Sequence, residues 1–335
     1  MATKLRFVLV LLAGCVGCGS QPAVQPDGVN RVQPKNEEPG AQPAVRPPEA
    51  KIEKLIAQHL PNPIRVHEKV ISGGLPEGDA AFAELKELGI VTVISVDGAK
   101  PDVERAKKYG LRYVHLPHGY DGVPEERAKE LAKAVRDLPG PIYLHCHHGM
   151  HRSPAATAVA CVGAGLIQPN EALAVLKIAG TSPAYRGLYQ SAEEVRPLDR
   201  ALLDALQSEF PESAKLPAMA EAMIEIEHVH DRLKAIDKAG WKAPADQPAL
   251  KPDHEALILR EHFTELLRTK ELMGKPEKFQ QLTRDGEAAC LALEEGLKQG
   301  IDADQASRLL TAVNNNCKAC HTGFRDVPLK EKGMK

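Results

Sequence analysis

The sequence is poor in aromatic residues and has almost no excess of charge. Phe, Trp and Tyr make up 4% of the 335 residues, and the formal net charge is −2. Nucleic-acid-binding surfaces depend on clustered basic residues and on aromatic rings that stack on bases. The composition therefore gives no indication of a nucleic acid partner, nor of a polybasic patch that would bind a membrane surface.

The apolar run near the N-terminus is short. It extends from residue 7 to residue 12, follows Lys4 and Arg6, and cannot span a bilayer as a permanent helix. A basic start followed by a short apolar stretch is typical of a secretory signal. The run ends in the sequence LAGC at Cys15, which resembles the lipobox of bacterial lipoproteins.

That resemblance implies cleavage before Cys15 and attachment of several acyl chains, which together give stable anchoring. Residues 1–18 are then signal peptide and lipobox, and we expect an exported lipoprotein anchored on the periplasmic or extracytoplasmic side of a membrane. An ordinary cleaved signal that leaves a soluble exported protein is the alternative. Residues 19–50 are rich in Pro, Gln and charge, so we expect a disordered linker there.

The seven cysteines do not have the pattern of a disulfide framework. Cys161 and Cys290 lie in apolar, helix-like contexts, where we expect them to be small buried hydrophobic residues. Cys18 has no assignable role. The remaining cysteines belong to the lipobox and to the two motifs described below.

Residues 51–208 alternate between strand-like and helical patterns. We predict strands near residues 70–74, 90–96, 111–116 and 141–145, and helices over 79–88 and 125–138. The run 90–96 is a continuous stretch rich in β-branched residues, as in a strand buried on both faces. Strands separated by helices predict an α/β domain with a mostly parallel sheet and flanking helices.

Residues 209–335 lack strand patterns. One-sided apolar stripes follow four stretches, roughly 213–239, 253–273, 277–299 and 302–325. Gly240, Gly274 and Gly300 stand where these helices should end. The pattern predicts an all-α four-helix bundle.

Cys317, Cys320 and His321 form a CxxCH motif, the attachment signature of haem c. Two thiols three residues apart on a helix lie near one face and can both add to haem vinyl groups, while the adjacent His ligates the iron. Zinc would need two further soft ligands, of which Cys290 supplies one at most. A thioredoxin-like dithiol would follow a strand, whereas this motif lies in a helix. We therefore predict one covalent haem c with His321 as the proximal ligand.

A CxxCH motif late in the last helix of a four-helix bundle, here within NNNCKACHTGFR, resembles cytochrome c prime. The resemblance implies that the first bundle helix faces the distal side of the iron, and Met219 and Met223 lie one turn apart there. Either Met would ligate the iron, or it would fill the pocket as a core residue. His228 and His230 are further candidates for ligation, or else solvated or capping residues.

Residues 145–153, HCHHGMHRS, form a Cx5R pattern between a predicted strand and a predicted helix. A loop at a helix N-terminus turns backbone N–H groups inward and can cradle phosphate oxygens. The helix dipole and Arg152 favour the thiolate form of Cys146, and the guanidinium can bind two phosphoryl oxygens. We expect the phosphate-binding loop to contain His147, His148, Gly149, Met150, His151 and Arg152. Three roles are open for the loop histidines: adding positive potential, taking up a metal, or facing solvent. We do not predict a metal site there.

The motif, together with ISGGLPEGD and the LGIVTVISV strand, resembles the protein tyrosine and dual-specificity phosphatase superfamily, above all its small bacterial members. The resemblance implies that Cys146 attacks phosphorus to give a phosphocysteine, which water then hydrolyses. Ser153 would assist departure of the thiolate, and His145 would order the loop through hydrogen bonds.

A general acid is also implied by this resemblance. Asp121, in HGYDGVP, is the candidate, although it lies nearer to the cysteine in sequence than is usual in that superfamily. Asp97 or Asp102 is the fallback.

Two functions follow from these motifs. The first is an exported phosphatase that hydrolyses phosphate monoesters, phosphotyrosine among them, and carries a cytochrome domain with a redox, electron-transfer or gas-sensing role. The second is a haem c electron-transfer or gas-binding protein whose phosphatase-like domain only binds an anionic partner. Rhodanese-type and arsenate-reducing enzymes also place a Cys in an anion cradle, but the HC…RS frame with an available Asp favours phosphate ester hydrolysis. Expected partners are a phosphorylated protein or small molecule, a redox partner, and the membrane through the lipid anchor.

Overall fold

The computed structural model describes residues 51–332. The signal peptide and lipobox predicted for residues 1–18, the acylated Cys15 and the linker over 19–50 lie outside the described residues. They remain predictions.

A six-stranded sheet forms the centre of the part made by residues 51–208. Its strands are β1 (Glu53–Lys54), β2 (Ile64–His67), β3 (Val70–Gly73), β4 (Thr92–Ser95), β5 (Arg112–His115) and β6 (Ile142–His145). Their spatial order is β1-β2-β3-β6-β4-β5, with β3, β6, β4 and β5 parallel to one another and β1 and β2 antiparallel to their neighbours. The predicted mostly parallel sheet is confirmed, and β3 to β6 each lie within a predicted strand.

The two antiparallel strands at the edge are not predicted from the sequence pattern. β1 has only 2 residues, and β2 begins directly after a Pro-Asn-Pro segment. Proline is depleted in strands and favours turns. The segment therefore predicts a turn, and the alternation of buried and half-buried residues in β2 is too short to indicate a strand beside it.

Helices cover both faces of the sheet. They are α1 (Gly78–Glu87), α2 (Val103–Lys108), α3 (Glu125–Asp137), α4 (Arg152–Gly163), α5 (Ala172–Ala179), α6 (Arg186–Glu194) and α7 (Arg200–Ala205). Because successive side chains of a strand point to opposite faces, Ile142 and Leu144 of β6 pack toward α3 to α6, whereas Tyr143 packs with α1 and α2. Every residue of α4 is buried. This buried helix carries the N-terminus at which the Cx5R loop ends.

The part from residue 209 onward is helical. Its helices are α8 (Ala218–Lys238), α9 (Pro252–Leu267), α10 (Lys270–Met273), α11 (Glu277–Lys298), α12 (Ala303–Cys320) and α13 (Leu329–Lys332), with a π-helix at His321–Arg325. Apolar side chains of α8, α9, α11 and α12 form one core, centred on Leu233, Leu259, Leu293 and Leu310. All four predicted helical stretches are present. None of the helices in residues 51–332 is long and apolar enough to cross a membrane.

Two predicted helix boundaries are wrong. The first stretch does not begin at residue 213, because Pro217 is the N-cap of α8 and the residue before a proline avoids helical backbone angles. The stretch over 253–273 is interrupted after Leu267, because the Thr269 hydroxyl accepts a hydrogen bond from the Leu272 amide and begins a new helix, α10. Gly240 and Gly300 end helices with positive φ as expected, whereas Gly274 has a right-handed conformation.

Candidate active site

The Cx5R loop lies at the carboxyl ends of the parallel strands. β6 ends at His145, the loop runs from Cys146 to His151, and α4 begins at Arg152. Both neighbours of β6 end at the same level, since Gly73 of β3 and Ser95 of β4 pair with His145. This edge of an open α/β sheet is where such folds bind ligands.

Gly149 allows the loop to turn tightly against β3. Its φ is +70°, and a Cβ atom there would lie 2.5 Å from the Gly74 nitrogen and 2.6 Å from the Gly73 carbonyl carbon. No side chain fits in that space. The structure therefore requires glycine here for two reasons, the left-handed backbone and the close approach.

The carbonyl groups of the loop are bound on its outer side. The Leu75 amide donates to the His147 oxygen at 2.9 Å, and the Asn62 side chain donates to the Gly149 oxygen at 2.9 Å. The Thr181 hydroxyl donates to the Met150 oxygen at 2.6 Å. These bonds fix the orientation of the peptide groups.

The backbone N–H groups of the same loop are available to bind a ligand. Within residues 51–332, none of the backbone N–H groups of residues 147–151 donates a hydrogen bond to a protein acceptor. Their grouping at the N-terminus of α4, which has 12 residues, forms a site suited to an anion.

Arg152 is held from two sides. Its Nη2 atom lies 2.9 Å from the Asp97 carboxylate, and its guanidinium carbon lies 4.5 Å from the centre of the Tyr120 ring. Its Nε atom is buried and has no hydrogen-bond partner among the described residues. Burial by itself raises the pKa of Asp97, but the Arg152 charge and the Ala99 amide outweigh it and hold that pKa below its ordinary value. Asp97 is therefore an ionised partner of the arginine, with Nε left to bind a further anion.

Cys146 and Ser153 are in contact. The Cys146 sulfur lies 3.2 Å from the Ser153 hydroxyl, which also donates to the Gly73 carbonyl oxygen at 2.9 Å. A hydroxyl has one proton, so it can donate to only one of these two acceptors at a time. With a thiol, Cys146 donates to Ser153; with a thiolate, the hydroxyl turns toward sulfur.

His145 is fully buried and connects the loop to the next strand. Its Nε2 atom lies 2.6 Å from the Tyr113 hydroxyl, and its Nδ1 atom lies 3.3 Å from the Cys146 carbonyl oxygen. Burial lowers the pKa of His145 to about 4, so the ring is neutral at pH 7. Because a carbonyl only accepts, Nδ1 carries the proton and Nε2 accepts from Tyr113.

Asp121 is bound by the C-terminal end of the described chain. Its carboxylate lies 2.7 Å from the Lys332 ammonium group, and its carbonyl oxygen accepts a hydrogen bond from the Leu329 amide at 3.0 Å. It lines a cavity together with Val123, Val159 and Leu329, and no residue of the Cx5R loop lines that cavity. Asp121 thus directly follows Tyr120, whose ring lies beside Arg152, but the Asp121 carboxylate is paired with Lys332.

The two fallback acids have other partners. Asp97 forms the buried ion pair with Arg152. Asp102 is the N-cap of α2, where its side chain accepts from the Arg105 amide at 3.1 Å. An N-cap carboxylate stabilises a helix start and is directed at the backbone.

The three loop histidines do not gather at one point. The His147 and His148 rings meet edge to face with centres 4.4 Å apart, whereas His151 packs on Tyr185 at 4.6 Å. His148 also interacts electrostatically with Glu227 of α8. No group of three or more His, Cys, Asp or Glu side chains in residues 51–332 is arranged to hold a metal ion.

The CKACH motif closes α12. Cys317 and Cys320 are partly exposed free thiols, and His321 begins the π-helix. Positions i, i+3 and i+4 of a helix share one face, so the two thiols and the imidazole lie on the same side. Burial and the nearby Arg325 lower the pKa of His321 to about 4, which leaves the neutral imidazole that ligates iron. The donor set therefore fits a covalently attached haem c.

The candidate distal ligands lie in α8. Met219 and Met223 are partly buried and pack on the same apolar core as Cys317. His230 lies 2.5 Å from Asn314 of α12, and burial lowers its pKa. His228 is exposed. The methionines remain the candidates that share a core with Cys317 of the CKACH motif.

Sequence reasoning did not find several residues that shape the site. Asn62 bridges the carbonyl oxygens of Gly149 and Ala179, and it has a φ of +46°. Tyr120 lies beside Arg152, and Thr181 binds the loop. A polar residue in left-handed conformation is one signal of a special role, but φ is not visible in a sequence.

Three solved structures are similar to this chain. The crystal structure of P. aeruginosa TpbA is 21% identical, with 43% of this chain and 88% of that chain covered and a TM-score of 0.35. TpbA in complex with pTyr is 20% identical, with 45% and 93% covered and a TM-score of 0.35. The core catalytic domain of the PP-IP phosphatase Siw14 from S. cerevisiae, in complex with citrate, is 14% identical, with 45% and 92% covered and a TM-score of 0.36. No protein-family model matches the sequence, and no curated protein matches it.

Proposed function

We propose that this protein is an exported, lipid-anchored phosphatase that hydrolyses phosphate monoesters through a phosphocysteine and carries one haem c in its helical part. The observation that carries the phosphatase proposal is the loop over residues 147–151. Its N–H groups have no protein acceptor among the described residues, and the unpartnered Nε of Arg152 lies at the same helix N-terminus. Together they match a phosphoryl group in charge and in hydrogen-bonding capacity.

In the first step, the Cys146 thiolate attacks phosphorus, a sulfur–phosphorus bond forms, and the phosphorus–oxygen bond to the alcohol breaks. The loop N–H groups and Arg152 bind the three non-reacting oxygens. Because Asp97 already holds one end of the guanidinium at 2.9 Å, the arginine is oriented before the substrate arrives. Asp121 protonates the leaving oxygen in this proposal.

In the second step, water attacks phosphorus, the sulfur–phosphorus bond breaks and a proton of the water returns to the Asp121 carboxylate, giving phosphate and the Cys146 thiolate. Ser153 supports this proposal because its hydroxyl lies 3.2 Å from the sulfur. As negative charge returns to sulfur, the hydroxyl can turn from the Gly73 carbonyl oxygen and donate to the thiolate.

The haem proposal rests on the helix face that ends α12. Cys317 and Cys320 would hold the porphyrin through thioether bonds, and His321 would ligate the iron. Met219 or Met223, which pack on the same core as Cys317, would supply a further ligand or fill the pocket. When bound, the haem would supply electron transfer or binding of a diatomic gas. The protein residues orient the group and exclude water through the core that contains Leu310 and Val313.

Hydrolysis of an aryl phosphate by the purified full-length protein tests the phosphatase proposal. Under reducing conditions we expect turnover by the wild type and none by Cys146→Ser. Cys161→Ser is the matched control, because Cys161 is a fully buried thiol of α4 outside the loop. A wild type without turnover, yet with phosphate binding, would support instead a haem protein whose α/β part only binds an anionic partner.

An absorption spectrum tests the haem proposal. We expect a Soret band that survives denaturation and organic extraction in the wild type and is extractable in the Cys317→Ala, Cys320→Ala double variant. A wild type without a covalent Soret band contradicts the proposal. Membrane fractionation of Cys15→Ser tests the anchor, and we expect release of this variant into the soluble exported fraction.

A further inference from the structure

The chain that follows the CKACH motif returns to the α/β part. From Arg325, the last residue of the π-helix, it runs through Pro328 to α13, which ends at Lys332. We call residues 325–332 the C-terminal strap. Among the described residues of the strap, only Pro328 is buried. The strap therefore lies on the surface of the α/β part.

One set of strap contacts binds the segment that holds the candidate acid. The Arg325 guanidinium carbon lies 4.3 Å from the centre of the Tyr120 ring. The Leu329 amide donates to the Asp121 carbonyl oxygen at 3.0 Å, and the Lys332 ammonium group lies 2.7 Å from the Asp121 carboxylate. Both the main chain and the side chain of Asp121 are thus bound by the strap.

A second set of contacts fastens the strap to α6. Arg186 donates two hydrogen bonds to the Glu331 carboxylate, both at 2.8 Å, and Lys330 pairs with Glu194. The side chains of Arg186, Lys330 and Glu194 are at least half exposed. Exposed ion pairs contribute little to stability, so such a fastening is reversible.

Asp121 cannot be paired with the strap and act as the general acid at the same time. A general acid has to present its proton to the leaving oxygen, within hydrogen-bond reach. In the observed arrangement its carboxylate is paired with Lys332 and lines a cavity that no loop residue lines. The ion pair has to break before Asp121 can act at Cys146.

We propose that the C-terminal strap is an autoinhibitory segment that withholds Asp121 until it is released. The inference rests on the proposed phosphatase function and adds a regulatory state to it. The strap follows the CKACH motif in the chain, so it joins the helical part to the segment that holds Asp121.

Two variants release the strap in different ways. Lys332→Ala removes the partner of the Asp121 carboxylate, and Arg186→Glu places two like charges at the pair with Glu331. The double variant Arg186→Glu, Glu331→Arg restores that pair with its charges exchanged. Lys275→Ala is the matched control, because Lys275 also forms an exposed pair, with Glu271, and its side chain is 37% exposed against 38% for Lys332.

Turnover is measured on full-length protein with two esters, phenyl phosphate and 2,4-dinitrophenyl phosphate. A poor leaving group needs a general acid, whereas dinitrophenolate leaves without one. We expect Lys332→Ala and Arg186→Glu to raise kcat for phenyl phosphate about fivefold, the scale of one exposed ion pair, and to change kcat for the dinitrophenyl ester much less. The charge-exchanged double variant returns to the wild-type rate, and Lys275→Ala stays at it.

The results separate this inference from the proposed function. The inference alone is overturned if kcat of the two release variants is at or below the wild-type value. An equal rise of kcat for both esters also overturns it. Hydrogen exchange at the Leu329 amide, which donates to Asp121, should quicken in the release variants, and unchanged protection there also overturns it. Absence of turnover in every variant, with the strap shown to be released, rejects the phosphatase function and the inference together.

Discussion

The Asp97 carboxylate lies 2.9 Å from the Arg152 guanidinium, and each side chain is 9% exposed. The pair joins the end of β4 to the start of α4, at the loop that would bind phosphate. Asp97 takes one end of the guanidinium and leaves Nε without a partner. This makes Asp97 a positioning residue for the arginine, whereas the sequence alone predicts it as a fallback general acid.

Replacing Asp97 by Ala should destabilise the protein, because it leaves a buried guanidinium without its partner. We expect the free energy of unfolding to fall by about 3 kcal/mol. Inorganic phosphate should restore part of this loss, since it binds the unpaired Arg152 only in the folded state. Urea unfolding with and without phosphate measures both effects. Glu53→Ala, which breaks an exposed pair with Lys51, is the control and should leave stability almost unchanged.

Gly149→Ala should lower the free energy of unfolding by more than the left-handed backbone conformation alone predicts. Gly149 and Gly165 have nearly equal φ values, +70° and +73°, but only Gly149 has backbone atoms where a Cβ would lie. Gly165→Ala should cost about 1 to 2 kcal/mol, the penalty of a left-handed residue. Gly149→Ala should cost more and should abolish phosphate binding measured by calorimetry. Equal losses in the two variants would contradict the role of close packing.

Ser153→Ala should slow the second step more than the first. The departing thiolate loses a charge-assisted hydrogen bond worth about 1.5 to 3 kcal/mol, so its release should slow roughly 10- to 100-fold. Rapid-mixing measurements should then show a burst of aryl alcohol followed by a slow steady state. Thr157→Ala, one turn further along α4 and also buried, is the control and should show no burst. An equal slowing of both steps in Ser153→Ala would contradict the assignment.

Stability should fall as pH falls from about 6.5 to 4, in part because of His145. Burial lowers its pKa to about 4, so between these values the unfolded chain binds a proton that the folded chain does not. This difference corresponds to roughly 3 kcal/mol over the full window. The slope of unfolding free energy against pH should therefore be smaller in His145→Gln than in the wild type.

Local patterns in the sequence determine much of this protein. The run over 90–96 and the apolar stripe of each long helix fix the order of strands and helices, because periodicity decides which side chains can be buried. The spacing of Cys146 and Arg152 places both ends of the candidate loop, and the spacing of Cys317, Cys320 and His321 places three side chains on one helix face. These are short-range relationships, and backbone geometry alone sets them.

Only the tertiary structure decides which distant groups meet. Asp97 rather than Asp121 lies against Arg152, because β4 and β6 are neighbours in the sheet although they are far apart in sequence. Asn62 and Thr181 bind the loop from segments whose composition gives no indication of that role. Lys332 meets Asp121 because the chain after α12 folds back across the α/β part. Such contacts depend on how the sheet and helices pack around one core, and no pattern within a single segment encodes that packing.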